Sequence, residues 1–154
     1  MIKKLSYDYI RGLTEGEGTF TFYTLPRYIK LENGEVKRIK MPAFAIKMHE
    51  RDEPLLQLVR DTIGLREKLY RHKKTYAGPG KENAGLQVAL IVRDTGDFMN
   101  KIIPLFYKKL HGNKGKQFRE WLEKMGGEEM THDSQFLHGL YKRGHFDKII
   151  NKFD

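Results

Sequence analysis

Two glutamates, Glu15 and Glu17, flank Gly16 in the run Y-I-R-G-L-T-E-G-E-G-T-F-T-F at Tyr9–Phe22. Carboxylates are hard oxygen donors, and Mg²⁺ takes one or two of them alongside substrate phosphates. An isolated E-G-E reads first as a solvent-exposed acidic pair. Its surroundings change that reading. The apolar spacing before it is helical, and after Gly18 the threonines Thr19 and Thr21 alternate with Phe20 and Phe22, a strand period. The acids therefore sit where a helix runs into a sheet. Carbonyl dipoles converge at that helix end, so added negative charge is unfavourable unless a cation offsets it.

Gly12 and Gly16 lie four apart on the same helix. Each costs about 1 kcal/mol relative to alanine in a helix interior, and together they clear a face for close approach by another backbone. No other helix in the chain offers an evident matching face. A two-fold copy of the same helix would, with Gly12, Leu13 and Gly16 at the contact and two Glu17 side chains brought together. Such a pair of carboxylates suits a metal site that works on a phosphodiester.

The rest of the chain must position that junction. With 154 residues and 39% hydrophobic content, it has the length of one domain with a real core. The expected core spans about residues 6–125, with a helical tail over 126–154. Zero cysteines exclude a disulfide framework or a thiolate zinc site and fit a reducing compartment. No apolar run reaches the roughly 20 residues that span a bilayer, and no signal-type segment opens the chain. An intracellular protein is expected, cytoplasmic or organellar, with no membrane partner. The charge of +9, from 29 Lys+Arg against 20 Asp+Glu, favours a polyanion such as nucleic acid.

The element order reads αββαββα with a helical tail, an α+β fold. Ser6 caps a first helix that runs to Gly16. Strand one covers Thr19 to about Arg27. Glu32-Asn33-Gly34-Glu35 is read as a hairpin turn of type I′, and strand two returns from Val36 to Met48. Its alternation slips at Pro42, which suggests a bulge or an edge position. A second helix runs from Asp52 to Gly64. Strand three is placed at Lys68–Tyr76 and strand four at Leu86–Val92, separated by a glycine-rich loop expected to be mobile. A third helix starts at Asp94 or Thr95 and is interrupted by Pro104. A fourth carries Phe118, Trp121, Leu122 and Met125, and a last one spans Asp133–Arg143.

Two hairpins, each after a helix, form an antiparallel sheet covered on one face and open on the other. Alternation assigns Thr21, Tyr23, Lys47, Lys68, Tyr70, His72, Lys74 and Gln87 to the open face, with Ala43, Ala45 and Ala89 between them. Arg27, Tyr28, Lys30, Lys37, Arg38 and Lys40 add to it at the tips. A solvated sheet face is also polar, but tyrosines and cations with few carboxylates suit a DNA duplex and its major groove.

The run I-R-G-L-T-E-G-E-G-T-F resembles the motif of the LAGLIDADG homing endonucleases, and the likeness extends from about Ser6 to Met125. It implies a saddle-shaped antiparallel sheet over the major groove, with motif helices packed at the interface. It also implies Mg²⁺-dependent double-strand cleavage at a long, partly palindromic site in intron homing, with Mn²⁺ substituting and Ca²⁺ binding without cleavage. Single-motif members act as homodimers and take no small-molecule substrate. On the same likeness Glu17 is the metal ligand, with the Gly16 carbonyl beside it, and Glu15 serves the helix end. Glu50 stands where the family often has a glutamine near the attacking water, a departure that adds a carboxylate. Lys114, or else Lys116, is the lysine entering the site. No covalent nucleophile is placed beside a base, and His49, His72 and His111 match no zinc spacing.

Two other readings compete. One is a catalytically silent nucleic-acid-binding protein of the same fold, such as an intron maturase or a regulator. The other is an unrelated basic RNA-binding domain. A weak echo of the motif at Phe136–Phe146 has Lys142 and Gly144 where Glu15 and Glu17 would fall. Too few residues follow it for a second sheet, so it is read as chance or tail packing.

Overall fold

A computed structural model describes residues 4–73 and 86–154. Ser6 opens the first helix, α1 (Tyr7–Glu17), as its side chain accepts from the Tyr9 amide at 3.0 Å. The chain enters β1 (Gly18–Lys30) with no intervening loop. It turns into β2 (Val36–His49), passes a 3₁₀ turn at Glu50–Asp52, and continues as α2 (Glu53–Ile63). Then come β3 (Tyr70–Lys73) and β4 (Leu86–Val92). The four strands form one antiparallel sheet in the order β1-β2-β4-β3. The order αββαββα is as expected. The glycine-rich loop, and the part of strand three beyond Lys73, lie outside the described residues.

Several local expectations differ from the structure. The hairpin is not type I′: only Gly34 has positive φ, at 89°, while the Leu31 carbonyl accepts from Gly34 and the Asn33 side chain accepts from the Glu35 amide. A three-residue loop with a left-handed glycine closes it instead. The irregularity expected at Pro42 lies in β1, between Thr24 and Tyr28. Pro42 keeps regular register with Phe22, and pairing with β4 begins only at Phe44. Its missing N–H thus falls at an edge. Lys68 precedes β3 rather than belonging to it.

The helical layer is continued by α3 (Thr95–Asp97), a π-helical stretch at Phe98–Ile102 and α4 (Ile103–Phe106). Pro104 leaves the Asn100 carbonyl without its usual helical donor, and Lys152 Nζ supplies one at 2.8 Å. Next come α5 (Gly112–Lys124), α6 (His132–Lys142) and α7 (His145–Lys148). The core lies between these helices and one sheet face, where Phe20 meets Phe44, Phe118 and Trp121 at centroid distances of 5.1, 4.9 and 5.1 Å. Each such pair adds about 0.5–1.5 kcal/mol beyond area burial. Trp121 also donates to the Thr21 carbonyl at 2.8 Å, tying α5 to β1. No described helix is long and apolar enough to cross a membrane.

Candidate active site and nucleic-acid face

Helix α1 ends at Glu17, whose side chain is exposed and finds no hydrogen-bond or ion-pair partner among the described residues. Its neighbour Glu15 differs: one carboxylate oxygen accepts from the His111 amide at 2.7 Å. His111 caps α5, so this anion lies against the positive end of a helix. Lys114, half-buried in the first turn of α5, donates from Nζ to the Gly18 carbonyl and to Gln117 Oε1. Its ammonium therefore sits one residue from Glu17. Lys116 is exposed and lacks this connection. Two of the expected site residues, Glu17 and Lys114, come together at one junction.

Glu50 is exposed and opens the 3₁₀ turn after β2. Gly18 pairs with Ile46, so Glu50 lies four residues further on, about 13 Å of strand. Among the described residues no group of three His, Cys, Asp or Glu side chains could hold a metal ion. Gly12 and Gly16 are exposed, and a Cβ built on either meets nothing within 4 Å. The face they clear is open among the described residues, with Leu13 half-buried beside it.

The uncovered sheet face follows from register. Thr19 and Thr21 oppose Ala45 and Ala43, Tyr23 opposes Met41, Lys47 opposes Ala89, and His49 opposes Gln87. Tyr70 and His72 complete these rows from β3. The expected residues Thr21, Tyr23, Lys47, Tyr70, His72 and Gln87 thus share this face. Ala43, Ala45 and Ala89 share it too, yet are at most 3% exposed, because larger neighbours overshadow small side chains. His72 Nε2 and Gln87 Oε1 are 3.0 Å apart.

The tip residues divide. In β2, Arg38 and Lys40 alternate onto the side of Phe44 and Ile46, whereas Lys37 shares the side of Lys47. Tyr28 and Lys30, opposite Arg38 and Val36, go with Arg38. The expectation that all six tips extend the open face is thus corrected. Tyr28 stays 61% exposed, stacked with Arg38 at 5.4 Å. Lys40 is the clearest departure: its backbone pairs with the segment at Met130, and its side chain lines a hollow with Phe22, Glu123 and Gly126. The free edge of β2 beyond β4 needs a partner, and that segment supplies it. Arg27 is exposed beside Met41, and Lys74 lies outside the described residues.

The family model for LAGLIDADG endonucleases matches residues 10–125. The chain belongs to this family. Among solved structures it is similar to the I-LtrWI LAGLIDADG homing endonuclease bound to target DNA, at 23% identity and TM-score 0.57, over 86% of this chain and 41% of that one. It is also similar to I-GzeII in complex with a DNA target, at 23% identity and TM-score 0.54, over 100% of this chain and 46% of that one. The homing endonuclease I-TnaI is 18% identical with TM-score 0.56, over 99% of this chain and 100% of that one. The chain therefore spans less than half the length of some relatives of the same fold and all of another. No curated protein matches it.

One residue of this LAGLIDADG sheet escaped the sequence reading. Arg93, just past β4, donates to the Tyr70 hydroxyl at 3.2 Å and lies 5.8 Å from the centre of the Tyr23 ring. It lies one residue beyond the end of β4, at the next position of the alternation Gln87, Ala89, Ile91. It is the cation between the two outward tyrosines.

Proposed function

We propose that this chain is one half of a homodimeric, site-specific double-strand DNA endonuclease acting with a divalent metal. The observation that carries the reading is the open junction: Glu17 ends a helix whose glycine face nothing among the described residues covers. A second copy packed on that face completes a pair of Glu17 carboxylates, and two copies approximate the length of the longer relatives. The donors fit Mg²⁺, since Glu17 offers an unengaged carboxylate at a helix end where carbonyl oxygens project. Glu17 and the Gly16 carbonyl would hold the metal, which when bound supplies charge stabilisation at the phosphate and a water of lowered pKa.

The remaining work falls to protein groups. The sheet face docks the duplex, with Arg93, Lys47 and Lys37 meeting phosphates or base edges. Lys114 holds a positive charge beside the scissile phosphate and stabilises charge as it develops there. Glu50, if the partner copy or bound DNA brings it near, orients solvent.

The test is purified protein, Mg²⁺ and a library of duplexes. Site-specific double-strand cuts are expected, with Mn²⁺ replacing Mg²⁺ and Ca²⁺ supporting binding alone. Tight binding with no cut under any of these ions would favour the silent binding protein.

A further inference from the structure

Arg11 is the one charged side chain of α1 that is buried, at 7% exposure. A buried guanidinium is costly unless its donors are matched, and an apolar residue would pack there more cheaply. Its carboxylate partner among the described residues, Asp8, has a side chain 92% exposed, so that pair contributes little. The other donors reach out of the helix. Nε donates to the Leu105 carbonyl at 2.8 Å in α4, and Nη2 donates to the Phe153 carbonyl at 2.7 Å in the segment after α6. Phe153 is itself 7% exposed and meets Tyr7 of α1 edge-on at 5.1 Å.

The same segment grips the turn between α4 and α5. Asp147 accepts from Lys108 at 2.8 Å and from the Tyr107 hydroxyl at 3.2 Å, and Asp154 pairs with Lys109. Lys108 is held at φ 60°, a left-handed conformation that is unfavourable for a lysine. Three residues later the His111 amide engages Glu15, and Lys114 then reaches Gly18. A continuous run of contacts thus leads from residues 144–154 to Glu15 and Gly18, on either side of Glu17. All of these residues after α6 lie beyond the stretch matched by the family, which stops at residue 125.

We infer that residues 144–154 form a brace that sets α1 and the α5 turn in register, with Arg11 as its positioning residue. The inference rests on the endonuclease reading above only for its catalytic consequence. Packing alone would ask for an apolar side chain at position 11. A three-way tie between α1, α4 and the brace asks for a planar, multi-donor group.

Two variants of the full chain approach the brace from opposite sides. Arg11→Lys keeps the charge but replaces the planar fork with an ammonium on a shorter, flexible stem, which does not hold both carbonyls in the same fixed geometry. The double variant Asp147→Asn, Asp154→Asn changes only exposed acids and releases the turn; it decides the matter should Arg11→Lys fail to fold. Amide exchange read by mass spectrometry should rise over residues 15–18 and 107–114. Single-turnover cutting on saturating DNA should fall roughly tenfold or more, while DNA affinity measured in Ca²⁺ stays within about twofold. Unchanged exchange, unchanged cutting, or cutting and affinity falling together would overturn the brace. If the parent chain cuts nothing, the endonuclease reading fails by itself, and exchange alone decides whether the brace exists.

Discussion

Gly18 sits at φ −82° and ψ 156°, an extended conformation open to any residue. What it needs is space: a Cβ there would lie 2.6 Å from Thr14 Cγ2 and 2.8 Å from the Thr14 carbonyl oxygen. Gly18→Ala should therefore shift the end of α1 and lower stability by about 1–3 kcal/mol, read by thermal melting; an unchanged melt would remove the steric argument. Glu17→Gln tests chemistry instead of space. Cutting should drop at least about a hundredfold with DNA affinity retained, and surviving cleavage would refute the metal assignment. Glu67 offers a third handle. Burial, then hydrogen bonding and repulsion from Asp97, push its pKa from 4.5 up to about 7. Lys101 pairs with that Asp97, and Arg60 donates to the Glu67 carbonyl. The folded chain binds this proton more tightly than the unfolded one, so the stabilisation is full below about pH 4.5 and is lost as pH rises through about 7. Melting curves of Glu67→Gln should lack that slope and lie above the parent at pH 8; parallel profiles would contradict it.

At the scale of the element, α1 carries two demands on opposite sides. Ile10 and Thr14 are fully buried and Arg11 nearly so, against β2, α4 and the brace, while Gly12 and Gly16 face open space. Gly12→Leu should then leave the folded monomer as stable or more so, since leucine is the better helix former by nearly 1 kcal/mol. Its bulk should block close helix approach, and sedimentation should show self-association lost. A dimer that survives this substitution would place the interface elsewhere. The sheet behaves similarly. Its parity was readable along β1, the body of β2 and β4 because apolar and polar residues alternate there. It was misjudged at the tips, where exposed residues on both sides are polar and alternation carries no label.

Across the whole molecule, the charge of +9 is carried twice in the proposed dimer. DNA affinity should fall about 10³-fold or more between roughly 50 and 200 mM salt if six or more phosphates are met; a flat salt profile would mean the open sheet is not the binding face. The αββαββα order, the helix-to-strand junction and the family were legible in the sequence because each rests on local signals: hydrophobic period, turn residues and one short motif. The contact of Lys114 with the Gly18 carbonyl, the engagement of Glu15 with His111 and the place of Arg93 between Tyr23 and Tyr70 were not. These pairings join residues some 20 to 100 positions apart, and only packing brings such side chains together. By itself the sequence determined that Glu17 ends a helix with a bare glycine face. The tertiary structure decided what stands beside it, because distance in space is set by the core between helices and sheet, not by spacing along the chain.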